Sequence, residues 1–159
     1  MKIFKKIALI AVVVFTTVIS SSCSSDSSND NEQTPTEDFI KFKYNGVVYK
    51  YEPELIISEA TLIRGASGMG DTYKSISLWL PNDFTKGSHP VVYNLSELTT
   101  TYQGNFSFNT EFNNANATSG TIKITKLTSE RIEGTFSFSG TQGGETFAIT
   151  DGSFSLENF

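Results

Sequence analysis

Cys23 is the only cysteine in this chain of 159 residues, so it is the one side chain that offers a thiol for covalent chemistry. A disulfide within the chain would need a second cysteine. Cys23 follows a start with three lysines in six residues and an apolar run from Ile7 to Ile19. That run has 13 residues, whereas a membrane-spanning helix needs about 20. The arrangement is typical of a signal peptide that ends beside a cysteine available for modification.

Residues Ser20 to Ser22 supply the small side chains that precede a signal-peptide cleavage site. With the basic start and the apolar run, they resemble the signal of bacterial lipoproteins. The resemblance implies a signal peptide over residues 1–22 and a lipid on Cys23, with a diacylglyceryl group on the thiol and often an acyl chain such as palmitate on the new amine. An apolar residue is usual three positions before the cysteine, and Ser20 stands there instead. Ordinary secretory cleavage and an uncut membrane anchor are the alternatives.

Residues 23–37 are predicted to be the lipidated cysteine and a flexible acidic tether. Ser24 to Glu37 has no apolar side chain except the ring of Pro35, so it cannot bury enough surface to fold. Its early acidic residues resemble the surface-export signal of Bacteroidetes lipoproteins, and a merely solvated linker is the alternative. Ser24 also lacks the aspartate that retains many lipoproteins in the inner membrane. These features predict an outer-membrane protein of the cell envelope that faces the periplasm or the cell surface.

The charge of the chain disfavours two classes of partner. Without the three lysines of the signal peptide, nine basic and 17 acidic residues remain, a net charge of −8. Such a protein is attracted neither to nucleic acid nor to an anionic membrane surface. We therefore expect membrane contact through the lipid alone and no nucleic-acid partner.

Residues 38–159 are predicted to form one all-β domain. This span holds 11 of the 13 phenylalanines, all six tyrosines and Trp79. Its short alternating segments, separated by glycine and asparagine turns, indicate antiparallel sheet. The alternation fits a single antiparallel β-sandwich and a barrel-like meander equally well.

The clearest element is a hairpin over Phe39 to Tyr51. Asn45-Gly46 fits a two-residue type I′ turn, which pairs Ile40 with Tyr51 and places Lys41 opposite Lys50 on an exposed face. We also predict strands at 60–64, 73–80, 91–95, 101–112, 121–126 and 131–139, a helical turn at 96–99, and turns or loops at 65–71, 83–90, 113–120 and 140–145.

The last 40 residues alternate most regularly. Phe147 and Ile149 share the inward face with Phe154 and Leu156 only if one extra residue is inserted near Asp151-Gly152, as in a glycine bulge. Gly134 is expected where a neighbouring group comes close. The repeated strand pattern resembles the C-terminal half of small Bacteroidetes lipoproteins whose domains have no established function. The resemblance implies an envelope β-domain and no particular activity.

The residue types give no catalytic constellation. His89 is the only histidine and lies in a turn, with no recognisable nucleophile motif for a triad. Carboxylates cluster at Glu52, Glu54 and Glu59, but their separation does not follow from the sequence. No calcium loop of the Asp-x-Asp-x-Asp-Gly type occurs, and the glycines of 65–70 precede a strand rather than a helix. We therefore predict no enzyme activity, no metal site and no cofactor.

Trp79 and Tyr73 are the candidate ligand-binding residues. They lie on the face of the 73–80 strand opposite Ile76, Leu78 and Leu80. An exposed aromatic pair there could stack on a sugar or contact a protein partner, whereas a covered one would be a core plug. The leading hypothesis is a non-enzymatic binding module of the envelope. A carrier of a small hydrophobic ligand in a β-barrel cavity is the alternative, and a structural or inhibitory lipoprotein is a third.

We predict that mass spectrometry of the protein from its native membrane will find an N-terminal peptide that starts at Cys23 and carries lipid. Acyl chains contribute about 0.8 kcal/mol per buried methylene, so two or more chains hold a protein firmly. An unmodified mature N-terminus, or an uncut signal peptide, would contradict the lipoprotein interpretation.

Overall fold

The computed structural model describes residues 37–158, which are almost entirely β-strand. Cys23, the signal peptide and all of the tether but Glu37 lie outside the described residues. The described part has two helical segments, the short 3-10 turns Gly70–Thr72 and Leu95–Glu97. Its strands are β1 (Phe39–Tyr44), β2 (Val47–Tyr51), β3 (Pro53–Ile57), β4 (Thr61–Ser67), β5 (Lys74–Leu80), β6 (Gly87–Pro90), β7 (Gln103–Phe108), β8 (Phe112–Asn116), β9 (Ser119–Leu127), β10 (Arg131–Gln142) and β11 (Glu145–Glu157). The predicted all-β class is confirmed.

The strands form two antiparallel sheets that pack against each other as a β-sandwich. Sheet A has six strands in the order β2-β1-β11-β10-β9-β6, and sheet B has five in the order β3-β4-β5-β7-β8. At one corner the sheets are tied together by the Gln142 side chain of β10. It accepts from the backbone nitrogen of Asn113 at 2.9 Å and donates to the carbonyl of the same residue at 2.8 Å. Of the two predicted architectures, the sandwich is the one observed.

The first hairpin has the predicted register. Ile40 pairs with Tyr51, and Lys41 with Lys50, across the β1–β2 ladder. Asn45 and Gly46 have φ values of 48° and 78°, as a type I′ turn requires. Both lysines are exposed, so their like charges are separated by water.

The C-terminal strands contain the predicted bulge. Asp151 has a φ of 51°, and the β10–β11 register shifts between Phe136 and Phe138. The extra residue returns the following side chains to the core, because the strand alternates with a period of two. The close approach predicted at Gly134 is also observed. A Cβ at this position would lie 2.4 Å from both the carbonyl oxygen of Lys123 and the Phe154 ring.

Several predicted segments differ from the structure in sheet B and at the start of β9. Residues 53–57 were not predicted as a strand, yet they form β3, because an edge strand tolerates Pro53 and the exposed Glu54. The predicted loop at 65–71 begins only after β4 ends at Ser67. The predicted strand at 101–112 is broken by a turn in which Asn109 has a φ of 54°. The polar loop predicted at 113–120 is mostly strand, in β8 and β9.

Smaller differences fall between β5 and β7 and near the last hairpin. Residues 87–90 form β6 rather than a turn, and Val91 makes a single bridge to Tyr102 in place of the predicted strand at 91–95. The helical turn occurs one residue earlier than predicted, at Leu95–Glu97. The final turn is limited to Gly143 and Gly144, whose φ values are 63° and 90°. Two glycines at positive φ allow the strands to continue almost to the tip.

The first and last strands of the described chain lie side by side. Phe39 of β1 pairs with Ser155 of β11. Arg131 joins the two strand ends, because its Nη1 lies 2.7 Å from Asp38 Oδ1 and its Nη2 donates to Ser155 Oγ at 2.6 Å. The Arg131 side chain is only 12% exposed, so water screens this ion pair less than it screens the pairs on the open surface.

Aromatic rings fill the space between the sheets, and Phe106 of β7 lies at their centre. Phe106 is fully buried, and its ring centroid lies between 4.9 and 6.1 Å from those of five others. The neighbours are Phe42, Tyr44 and Phe147 of sheet A and Phe108 and Phe112 of sheet B. Such pairs add about 0.5–1.5 kcal/mol each beyond the burial of their area.

We expect Phe106→Ala to destabilise the domain by about 3–5 kcal/mol, because it removes a buried ring and leaves a cavity where the sheets meet. Val48→Ala is the control, since Val48 is 62% exposed on the edge strand β2. Urea unfolding of both variants measures the difference. Equal stability of the two variants would mean that Phe106 does not hold the sheets together.

Candidate functional site

The outer face of sheet B carries a polar cleft of about 380 Å³. The β5 strand alternates as predicted, with Ile76, Leu78 and Leu80 fully buried in the core. Its other face is directed away from the core and contributes to the cleft. We use the name polar cleft for the depression lined by Leu62, Arg64, Tyr73, Ser75, Ser77, Trp79, Asn105, Ser107, Asn113 and Asn114.

The floor of the polar cleft consists of short, uncharged polar side chains. Ser75 pairs with Ser107, and Ser77 with Asn105, across the β5–β7 ladder. All four residues are buried although they face outward, because longer side chains surround them. Hydroxyl and amide groups both donate and accept hydrogen bonds. This floor can therefore bind a ligand whose groups also donate and accept them.

One end of the polar cleft is closed by Arg64 and Tyr73. Arg64 Nη2 donates to the Tyr73 hydroxyl at 2.6 Å. Arg64 Nη1 also lies 3.8 Å from Glu54 Oε2, and the two residues are cross-strand partners in the β3–β4 ladder. Glu54 therefore offsets the only formally charged side chain that lines the cleft, which leaves the cleft close to neutral.

Trp79 lies at the other end of the polar cleft and is half-buried. Its cross-strand partners are Leu62 and Gln103, and both are buried. Gln103 is fixed by the preceding loop, because its Nε2 donates to the Asn94 carbonyl at 2.6 Å. The indole thus stands on a rigid base with one part open to solvent.

Trp79 and Tyr73 lie on the same face, as the alternation predicted, but at opposite ends of the cleft. They are six positions apart along an extended segment, which corresponds to about 20 Å. The two rings therefore do not form one stacking surface. Each is positioned to contact a different part of an extended ligand, and a binding role for either stays a prediction.

The side wall of the polar cleft comes from β8, a strand that the sequence did not predict. Asn114 has a φ of 53°, which asparagine tolerates better than most residues. Its backbone nitrogen donates to Ser107 Oγ at 2.9 Å, while Asn116 Oδ1 accepts from Asn105 Nδ2 at 3.1 Å. These asparagines resembled a loop in the sequence. The odd step from Phe112 to Ala115 also breaks the alternation of period two that would have indicated a strand.

His89, the only histidine of the chain, lies outside the polar cleft. His89 stacks on Tyr102 with ring centroids 3.9 Å apart, and its Nε2 lies 2.9 Å from the carbonyl oxygen of Thr85. Burial raises the pKa of Tyr102 above its ordinary value. Within residues 37–158, no group of three or more histidine, cysteine, aspartate or glutamate side chains could hold a metal ion.

Comparisons with protein-family models, curated proteins and solved structures find no match to this chain. Over the described range, no helix is long and apolar enough to cross a membrane. The candidate site therefore rests on its own geometry. The side chains of the polar cleft can form many hydrogen bonds to an uncharged ligand, and the Trp79 indole can pack against one of its faces.

We expect Asn114→Ala to destabilise the fold by about 1–2 kcal/mol, because alanine is strained at a positive φ. Asn114→Gly should stay within about 1 kcal/mol of the parent protein, since glycine adopts this conformation freely. Asn113→Ala is the control at a neighbouring position without a positive φ. Thermal or urea unfolding gives the comparison, and an alanine variant as stable as the glycine variant would contradict this geometry of the cleft wall.

Proposed function

We propose that this protein is a lipid-anchored binding module of the cell envelope and that a glycan is the ligand of its polar cleft. The observation that carries the proposal is the buried row of serine and asparagine side chains with a half-buried indole at its end. The signal-like N-terminus supports the location, with attachment to the outer membrane through lipid on Cys23.

The chemistry of a sugar matches the chemistry of the cleft. Sugar hydroxyls donate and accept hydrogen bonds, as do the floor residues Ser75, Ser77, Asn105 and Ser107. The apolar face of a sugar ring can pack on the Trp79 indole, which combines apolar area with an N–H donor. The near-neutral pairing of Arg64 with Glu54 favours an uncharged glycan over a strongly anionic one.

The residues that line the cleft support binding rather than hydrolysis. Glycosidases of the common type use two carboxylates that flank the scissile bond. Arg64 and Tyr73 are the titratable residues among those lining the cleft, and neither is a carboxylate or a histidine. We therefore propose a module that holds its ligand without altering it.

The interior of the sandwich favours this proposal over the carrier hypothesis. Aromatic rings from both sheets contact one another around Phe106, so the space between the sheets is occupied by side chains. A carrier would need that space for its ligand. We expect native mass spectrometry of the purified protein to show no small hydrophobic molecule, and a stoichiometric one would favour the carrier.

The test is glycan binding by the full chain in a neutral detergent, first on an array of immobilised neutral oligosaccharides and then by calorimetry. We expect Trp79→Ala to weaken binding at least about tenfold, equivalent to about 1.4 kcal/mol. Tryptophan truncations at binding sites often cost this much or more. Asn105→Ala should weaken binding as well, because it removes hydrogen bonds from the floor.

Phe39→Ala is the matched control for Trp79→Ala. Phe39 is also a half-buried aromatic residue, and it lies in sheet A, outside the polar cleft. An equal loss of binding in both variants would indicate general destabilisation. Failure to retain any neutral glycan, together with specific capture of a protein that Trp79→Ala abolishes, would replace the glycan with a protein partner.

A further inference from the structure

A second binding surface lies on the outer face of sheet A, and it is independent of the polar cleft. One row of side chains runs in register across all six strands of this sheet. In strand order the row is Lys50, Lys41, Ser153, Thr135, Lys123 and Ser88. Neighbouring strands lie about 4.8 Å apart, so the row spans about 24 Å.

The centre of this row forms an open trough of about 630 Å³. Hydroxyl side chains dominate its surface, and two lysines are included. We use the name sheet A trough for the region lined by Lys41, Ser88, Thr121, Lys123, Thr135, Phe136, Ser137, Thr150, Asp151, Gly152 and Ser153.

The sheet A trough has an excess of positive charge. Three other lysines of this sheet are paired with carboxylates, in Lys43–Asp151, Lys50–Glu37 and Lys126–Glu133. Lys41 and Lys123 have no carboxylate partner among residues 37–158, although the Lys41 amine lies 5.5 Å from the centre of the Phe39 ring. The trough therefore has a local positive charge on a chain that is acidic overall.

The trough also has hydroxyl side chains directly beside its lysines. Ser153 Oγ is buried and has no hydrogen-bond partner within the described residues. Because this oxygen is buried, a ligand reaches it only after the Ser153 side chain changes its rotamer. Ser153 lies directly beside Lys41 in the ladder, and Thr135 lies beside Lys123. Each free lysine is thus next to a hydroxyl in the same row.

We propose that the sheet A trough binds an anionic glycan that carries carboxylate or sulfate groups. Lys41 and Lys123 are three strands apart, or about 14 Å between their backbones, on flexible stems. This separation suits two acidic groups on one extended chain better than a single small ion. The hydroxyls of Thr121, Thr135 and Ser137 between and beside the lysines then contact the sugar rings.

The test measures binding of the full chain, in neutral detergent, to a heparin-derived hexasaccharide and to the same hexasaccharide after removal of its sulfates. We expect binding of the sulfated probe that weakens as salt is raised. The double variant Lys41→Gln/Lys123→Gln should bind at least tenfold more weakly. Lys86→Gln removes an exposed lysine that does not line the trough and should change affinity less than twofold.

Trp79→Ala separates this inference from the proposed function, because it lies in the polar cleft and should leave binding of the sulfated probe unchanged. Several outcomes would overturn the inference. These are no binding of the sulfated probe, an equal loss in Lys86→Gln, or equal binding of sodium sulfate alone, which would indicate a small-anion site. Binding to vesicles of phosphatidylglycerol with the same dependence on Lys41 and Lys123 would point to a lipid surface instead.

Discussion

The contact between Phe106 and the rings of both sheets is the constraint on which the rest of the molecule depends. Each sheet is apolar on one face, and neither sheet can bury that face away from water without the other. Phe42, Tyr44 and Phe147 from sheet A meet Phe106 between the sheets, which fixes their spacing and their relative position. The side chains on the outer faces depend on that position, because the strands that carry them are held from within.

Because stability comes from the interior, the two outer faces can be polar. The outer face of sheet B has serine and asparagine side chains in its central strands, and that of sheet A has serine, threonine and lysine. In a sandwich whose role was only structural, the side chains on these faces would only have to keep the protein soluble. Here the short floor residues of sheet B are buried between taller neighbours, and Ser153 in sheet A has a buried hydroxyl without a partner in the described chain. The recessed floor of sheet B is the feature on which the proposed binding role depends.

The sequence predicts the parts of the fold that depend on local geometry. The Asn45-Gly46 turn determines the register of the first hairpin by itself, and the odd spacing between Ile149 and Phe154 requires a bulge wherever the strand pairs. The β8 strand was missed because its asparagines resemble a loop, and it becomes a strand only through pairing with β7. For the same reason, alternation placed Trp79 and Tyr73 on the outer face, but the walls made by Arg64 and Asn114 come from other strands and could not be predicted.

The position of β1 between two hydrogen-bonded neighbours has a mechanical consequence. Asp38 directly precedes β1, and β1 is hydrogen-bonded to β2 on one side and to β11 on the other. If the proposed anchor holds the domain through the preceding chain and a bound ligand is pulled away along the strand direction, the load enters along the axis of β1. The hydrogen bonds of both ladders are then strained together in shear, rather than opened one after another as in a zipper. A module that retains envelope material against flow would gain from an attachment strand in the interior of the sheet.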